Sequence, residues 1–369
     1  DTIKRQMLAD VPLGAFLSGG MDSTIVVGLM AQHSAQPIKT YSVGFDWNVG
    51  ARYDESPFAR AVSQKFGTDH HAIVMQANAL DWWPRLAAHF DEPMADPASI
   101  PTFLISQYAR ESVKVVLTGE GADELFAGYG WYRWAQRRVP LPFASRVAQA
   151  LLDGRRGKRT VMATFAPSFA EQYFENVLCS VFQRDERAQL FSREFQRQLG
   201  AHRLTDDFAC ELERSCGYDP QSRMQYLDTL IWLEGDPLTK VDRMSMAASL
   251  EARVPFLDYR MVELAARIPP AMKLRDGTSK AILRETFADL LPPEVAHRPK
   301  HAFDIPIAHW LRHDLRQLTE GLATHPAIAQ SGYFNPSYVQ RLARAHLAGR
   351  DYAPQLWALL TWSLWWDRK

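Results

Sequence analysis

Short apolar runs alternate with amphipathic stretches along the first third of the chain. Residues 11–17 are mostly apolar and end on a glycine turn, the pattern of a short buried strand. Residues 22–32 then place apolar side chains at helical spacing. A second strand is expected over 38–45, a helix over 56–66 and a third strand over 70–75. Helices are expected over 79–90 and 101–111. The run Val113-Lys114-Val115-Val116-Leu117 is the strongest strand signal, being rich in β-branched residues, and it leads into Thr118-Gly119. Strands alternating with helices predict a parallel sheet with helices on both faces. In such sheets ligands sit beyond the carboxyl ends of the strands. The turns after Leu17 and Leu117 both lie at such ends.

From Trp131 onward strand signals vanish and helical periodicity dominates. Residues 139–157, rich in Pro, Arg and Gly, read as a connecting region. Helices are expected over 224–232, 238–250, 259–266 and 279–290. Near the chain's end Trp357, Trp362, Trp365 and Trp366 recur at helical spacing, which reads as core packing. No internal repeat of solenoid period is visible. The pattern therefore predicts an α/β core over 1–130, followed by a mainly helical part over 131–369 that completes the same domain.

A chain of 369 residues can bury one large core or two fused lobes. Apolar residues make up 47% and charged residues 23%, an ordinary soluble balance. Lys+Arg and Asp+Glu both number 42, so bulk binding to nucleic acid or a membrane surface finds no support. The basic cluster Arg155-Arg156-Gly157-Lys158-Arg159 reads as an exposed loop. Cys179, Cys210 and Cys216 are odd in number and form no C-x-x-C pair, so a reducing compartment fits better than a disulfide framework or a zinc site. Apolar runs break well before the roughly 20 residues that span a membrane. No secretory signal opens the chain, and its start at Asp1 rather than Met reads as a truncation.

Candidate chemistry begins at Ser18-Gly19-Gly20-Met21-Asp22-Ser23. A glycine turn between strand and helix sets backbone N–H groups around an anion, and the helix N-terminus adds a favourable dipole. Ser18 and Ser23 add hydroxyl donors. The loop lacks the lysine of the G-x-x-x-x-G-K-[ST] phosphate loop and carries Asp22 instead. A carboxylate beside phosphates needs a bridging cation, for which Mg²⁺ is the natural choice. The bland alternative is a glycine turn with Asp22 capping a helix. A second acidic loop follows the strongest strand and combines Glu120, Asp123 and Glu124 with Gly119 and Gly121. Three carboxylates there require metal or cationic side chains to be compatible with phosphate.

The string S-G-G-x-D-S behind a hydrophobic strand resembles the PP-loop of the ATP pyrophosphatase superfamily. Leu117-Thr118-Gly119-Glu120-Gly121-Ala122-Asp123-Glu124-Leu125-Phe126-Ala127-Gly128-Tyr129 resembles the S-G-E-G-x-D-E-x-x-x-G-Y signature of the asparagine synthetase family, with Thr118 keeping the hydroxyl of the usual serine. Glu251-Ala252-Arg253-Val254-Pro255-Phe256-Leu257-Asp258 resembles that family's E-A-R-V-P-F-L-D segment. Ser279-Lys280-Ala281-Ile282-Leu283-Arg284-Glu285 resembles its K-x-x-L-R-E segment, and Arg298-Pro299-Lys300 its R-x-K segment. These motifs keep the family's order and spacing over nearly the whole chain.

The resemblance implies a PP-loop, HUP-like α/β nucleotide-binding fold followed by a helical lobe. It implies a carbon–nitrogen ligase that amidates aspartate to asparagine through a β-aspartyl-AMP intermediate, releasing AMP and pyrophosphate. ATP is then a co-substrate and Mg²⁺ a cofactor. Leu17 and Val43 would meet the adenine nucleoside by backbone. Ser18, Gly19, Gly20 and Ser23 would grip the pyrophosphate, and Thr118 and Gly119 would complete the ATP pocket. Asp22 and Asp123 would hold Mg²⁺. Glu120 would serve formation of the intermediate or capture of ammonia, and Lys280 would contact phosphate during adenylation. Lys240 and Arg243 are cations near matching positions on the ATP side. Glu251 and Arg253 read as a buried structural pair, and His70-His71 lack a spaced partner for a metal.

The resemblance further implies ammonia supplied from glutamine by an N-terminal glutaminase domain that this chain does not contain. It implies a cytoplasmic enzyme without nucleic-acid or membrane partners, and it leaves a homodimer open. Rival family members are peptide cyclases and exopolysaccharide-cluster amidotransferases acting on other carboxylates. β-Lactam synthetases carry a tyrosine where Glu120 stands. A tRNA-modifying PP-loop protein is disfavoured by the neutral charge and the lack of C-x-x-C. For Asp91-Glu92-Pro93-Met94-Ala95-Asp96-Pro97, contact with substrate and shaping of a loop both remain open.

Overall fold

The computed structural model describes residues 1–45, 54–75, 77–136, 168–179, 181–296, 298 and 305–368. Five parallel strands form the central sheet: β1 (Leu13–Phe16), β2 (Lys39–Phe45), β3 (Asp69–Met75), β4 (Val115–Leu117) and β5 (Glu251–Arg253). Their order is β3-β2-β1-β4-β5. The register sets Gly14 against Lys39, Leu13 against Val115 and Val115 against Glu251.

Helices cover both faces, as the alternation of elements implied. On one face Ala15 and Leu117 pack with Ile25, Val26, Val27 and Met30 of α1 (Met21–Gln32) and with Ala59 and Val62 of α2 (Ser56–Phe66). On the other, Tyr41 and Val116 pack with Ile105 and Ala109 of α3 (Ser99–Arg110). Val116 and Leu117 are neighbours in β4 yet belong to opposite cores, because successive side chains of a strand point to opposite faces. Burial of each such aliphatic side chain contributes about 1.5–3 kcal/mol. The long apolar run of α1 reflects a helix buried against the sheet.

The chain leaves β1 toward β2 on one side and returns to β4 on the other. The carboxyl ends of β1 and β4 therefore flank the point where strand order reverses, the place where open α/β sheets form a ligand crevice. The loops 17–20 and 118–121 both start there.

Two expectations need correction. Residues 79–90 are not one helix. They split into a 3₁₀ segment Ala77–Trp82, a single α-turn Trp83–Leu86 and a second 3₁₀ turn Ala87–His89. Pro84 has no N–H and crowds the preceding turn, so the helix restarts around it. The later chain also contributes a strand where none was expected. Glu251–Arg253 is three residues long and carries two charged side chains, too short and too polar for a periodic signal. The connecting region at 139–157, the cluster at 155–159 and the last two residues of the R-x-K segment lie outside the described residues.

Contacts divide the chain into two compact units. Residues 1–91, 96–129 and 229–306 form the sheet-bearing unit. The other, residues 92–95, 130–228 and 307–369, is built of helices, with one isolated bridge between Phe191 and Phe334 among its described residues. Its last helix, Ala353–Trp366, buries Trp357 against Trp310 with ring centroids 6.2 Å apart. Trp362 packs on Tyr333 and Trp366. Among the described residues no helix is long and apolar enough to cross a membrane.

Candidate active site

The first loop is tied down by its own hydroxyls. The Leu17 amide donates to Tyr41 O at 2.8 Å, extending the end of β1. Gly19 then takes a left-handed conformation, φ 73°. Ser18 Oγ accepts from the Gly20 amide at 3.2 Å and lies 3.1 Å from Ser23 Oγ. Ser23 and Thr24 donate their hydroxyls to Gly20 O at 3.2 and 2.7 Å. The turn is thereby held at the positive end of α1, with Asp22 in its first turn. The side chains of Leu17 and Val43 are buried in the core.

The second loop touches the first backbone to backbone. The Thr118 amide donates to Arg253 O at 2.9 Å. A Cβ on Gly119 would stand 2.9 Å from the Ser23 amide nitrogen and 3.0 Å from Asp22 Cβ, so only glycine lets the loops meet. Thr118 Oγ1 is buried at this junction with no hydrogen-bond partner among the described residues, which suits a ligand-facing hydroxyl. Asp123 and Glu124 follow in the single turn α4 (Ala122–Leu125).

Lys280 arrives from far along the sequence. It follows a short hairpin (Leu274–Arg275 with Thr278–Ser279) and caps the helix Ala281–Thr286 in a left-handed conformation, φ 53°. Its Nζ lies 2.8 and 2.6 Å from the two carboxylate oxygens of Asp22 and 2.6 Å from Oδ1 of Asp123. The side chains of Lys280, Asp22 and Asp123 are 4%, 17% and 11% exposed. The structure thus brings three of the sequence candidates to a single point. Gly128 backs this contact: a Cβ there would fall 1.8 Å from Asp123 Oδ1 and 2.2 Å from Lys280 Cε. Gly128→Ala is therefore expected to force Asp123 and Lys280 apart. It should cost about 1–3 kcal/mol, read as a fall in the denaturant midpoint at unchanged slope. A midpoint equal to wild type counts against that packing.

A second polar cluster contains the cations read less firmly from the sequence. On α5 (Thr239–Ala247) Lys240 Nζ donates to Asp96 at 2.8 Å, and Arg243 pairs with Asp91. The segment 91–97 thus supplies ion-pair partners from its two ends. Burial opposes the Lys240 charge, but Asp96, Glu120 and Asp236 outweigh it and hold the ammonium above its ordinary range. Burial likewise opposes the Asp96 carboxylate, yet Lys240 keeps its pKa low. Asp236 is pushed up to about 8 by burial and by the charge of Asp96. Glu120 therefore lies in the field of a buried cation. Burial and then the charge of Asp123 push Glu124 up to about 8, although the Tyr129 hydroxyl donates to it at 2.7 Å. The acids of the second loop thus divide: Asp123 is ion-paired with Lys280, Glu124 has its pKa raised, and Glu120 interacts electrostatically with Lys240.

Sequence reasoning passed over Asp236 and gave no role to Tyr129, the last residue of the signature. Asp236 stands four positions before Lys240, the spacing of charged neighbours on a helix, and this was its one available signal. Two of the remaining motif cations, Arg253 and Arg284, hold backbone. Arg253 donates to Gln6 O and Leu8 O at 2.6 and 2.7 Å and to Glu251 at 2.7 Å, but Glu251 is 56% exposed, so that pair is not buried as expected. Arg284 donates to Ser279 O and Arg298 O. Arg298 pairs with Glu55 at 2.7 Å and lies over the Phe58 ring. The His70 nitrogens meet the hydroxyls of Thr40 and Ser42 at 2.9 and 3.2 Å.

Asp22 and Asp123 are residues that could hold a metal. Their oxygens converge on a point now filled by an ammonium, so the point already suits a cation, and carboxylates are the donors Mg²⁺ prefers. Among the described residues no group of three or more His, Cys, Asp or Glu converges on one point. A divalent ion at Asp22 and Asp123 would draw its other ligands from phosphate and water, as Mg²⁺ commonly does.

The family model described as asparagine synthase matches residues 1–367. The chain is 36% identical to a putative glutamine-hydrolysing asparagine synthetase of Mycobacterium tuberculosis, over 99% of this chain and 56% of that protein. It is 32% identical to glutamine-hydrolysing asparagine synthetase 1 of Bacillus subtilis, over 99% of this chain and 57% of that protein. A Penicillium rubens protein named amidase chyE is 26% identical, over 95% of this chain and 58% of its own length. The chain thus spans a little over half the length of these relatives.

Proposed function

The chain belongs to the asparagine synthase family, and from that premise we propose that it performs the ATP-dependent synthesis of asparagine from aspartate and ammonia. The observation that carries this reading is the convergence of Asp22, Asp123 and Lys280 where strand order reverses.

In the proposed reaction an oxygen of the aspartate side-chain carboxylate attacks the α-phosphorus of ATP. The bond to pyrophosphate breaks and β-aspartyl-AMP forms. Ammonia then attacks the acyl carbon, AMP leaves, and the amine's surplus proton passes to a base. The amides at the start of α1, with the hydroxyls of Ser18 and Ser23, bind the pyrophosphate. Thr118 Oγ1 and the Gly119 backbone border the nucleotide, as do the backbones of Leu17 and Val43. Lys280 neutralises charge on the leaving pyrophosphate. A Mg²⁺ ion held by Asp22 and Asp123 supplies further neutralisation there when bound. Glu120 orients ammonia or takes its proton, and Lys240 and Arg243 contribute cations on the ATP side. Most of the acceleration comes from positioning and charge rather than covalent chemistry. The reading also places the protein in the cytoplasm, with ammonia supplied from glutamine by a glutaminase domain of the longer protein.

Incubation with ATP, Mg²⁺, ammonium and a panel of carboxylates tests the proposal. With aspartate, AMP, pyrophosphate and asparagine should appear in equal amounts. ADP in place of AMP, or turnover indifferent to aspartate, would overturn it. A relative named an amidase favours a second reading, an amide-forming enzyme for another carboxylate. AMP release with a different panel member would select it.

A further inference from the structure

Lys280 and a divalent cation have claims on the same carboxylates. Lys280 Nζ lies within 2.8 Å of both Asp22 oxygens and 2.6 Å from Asp123 Oδ1. A metal ion bonded to these oxygens would sit about 2.0–2.6 Å from them, inside the space the ammonium fills. Two cations cannot share that point, since their repulsion in a partly buried site is strong. Gly128, in contact with Asp123 and the Lys280 stem, leaves no room for the lysine to retreat on that side.

We propose that the Lys280 ammonium is an exchangeable plug for the metal position. It neutralises Asp22 and Asp123 until a phosphate chain draws it off, so that divalent cation and nucleotide are taken up together. This inference rests on Asp22 and Asp123 being the metal-holding pair. The exchange is consistent in charge. Before it, two carboxylates face one ammonium; after it, they face a divalent ion, and the ammonium faces phosphate oxygens. The flexible four-carbon stem of lysine allows the movement. The backbone anchor of that stem is held by the helix that Lys280 caps. Metal and nucleotide then raise each other's affinity by the same factor.

The test counts bound Mn²⁺ by electron paramagnetic resonance on nucleotide-free protein. Wild type should bind Mn²⁺ weakly. Lys280→Met and Lys280→Gln should bind it at least about tenfold tighter, a step of about 1.4 kcal/mol. Adding Asp22→Asn to Lys280→Met should abolish the gain. Mn²⁺ should also raise the melting temperature of Lys280→Met but not that of wild type. Lys280→Gln keeps donors toward the carboxylates, so it serves if the methionine variant does not fold. Wild type binding Mn²⁺ as tightly as the Lys280 variants, without nucleotide, would overturn the plug. A separate arm compares wild type with Asp22→Asn in Mn²⁺ and a non-hydrolysable ATP analogue. Equal Mn²⁺ affinity there would overturn the metal-holding pair itself. A deficit in Asp22→Asn with no difference among the Lys280 proteins overturns the plug alone.

Discussion

Asp22→Ala should release pyrophosphate from ATP in the presence of aspartate at least about 10³-fold more slowly than wild type. Asp22 holds Lys280 through both of its carboxylate oxygens and is one half of the proposed metal pair. Its removal deletes a ligand for the cation and leaves Lys280 drawn toward Asp123 alone. Loss of that ligand removes charge stabilisation that grows as pyrophosphate leaves. The loop itself should survive, because the hydrogen bonds among Ser18, Gly20, Ser23 and Thr24 remain. Thermal melting and circular dichroism would confirm that the variant folds. Pyrophosphate release within about threefold of wild type by a folded variant would remove Asp22 from the reaction.

Glu120→Ala separates binding from chemistry. The variant should bind ATP as wild type does, since Glu120 lies past the glycine that packs on the first loop. Its kcat should fall by about 10²–10⁴, the range for loss of a positioned acid–base group. Transfer of ¹⁸O from labelled aspartate to the AMP moiety, read after a hydroxylamine quench that cleaves the acyl bond, divides the possibilities. Label transfer at the wild-type single-turnover rate, with product lost, places Glu120 at ammonia capture. Loss of transfer places it at adenylation. Unchanged asparagine yield rules out either role. Lys240 gives the prediction its physical basis, because Glu120 is among the charges that raise the pKa of this buried ammonium and so interacts with it.

The alternation of apolar runs was enough to read four of the five strands and the helices that cover them. Residues 39–45, 56–66 and 69–75 fall within one residue of the expected bounds. Those segments bury regular faces, so their periodicity carries the information. The site was legible where a loop has unusual composition for a reason of contact. Gly119 is needed where two loops meet, and Gly128 where Asp123 meets Lys280. Position along the chain was not enough for Asp96 and Asp236, whose significance is their burial beside Lys240. The fifth strand was illegible for a different reason: its three residues, Glu251–Arg253, pair through backbone and have no apolar face of their own to announce.

By itself, then, the sequence determined the parallel sheet, the two loops at its carboxyl edge and the family to which they belong. These follow from local composition and spacing, which any stretch of chain carries within itself. The tertiary structure decided which charges face one another. It set Lys280 between Asp22 and Asp123, 258 residues along the chain from Asp22, joining two separate acids and a distant lysine in one ion-paired cluster. It also gave Glu124 and Asp236 their raised pKa values, since desolvation and the nearness of another charge are properties of the folded interior. Electrostatic interaction depends on distance through space and on exclusion of water, and neither is written in the order of residues.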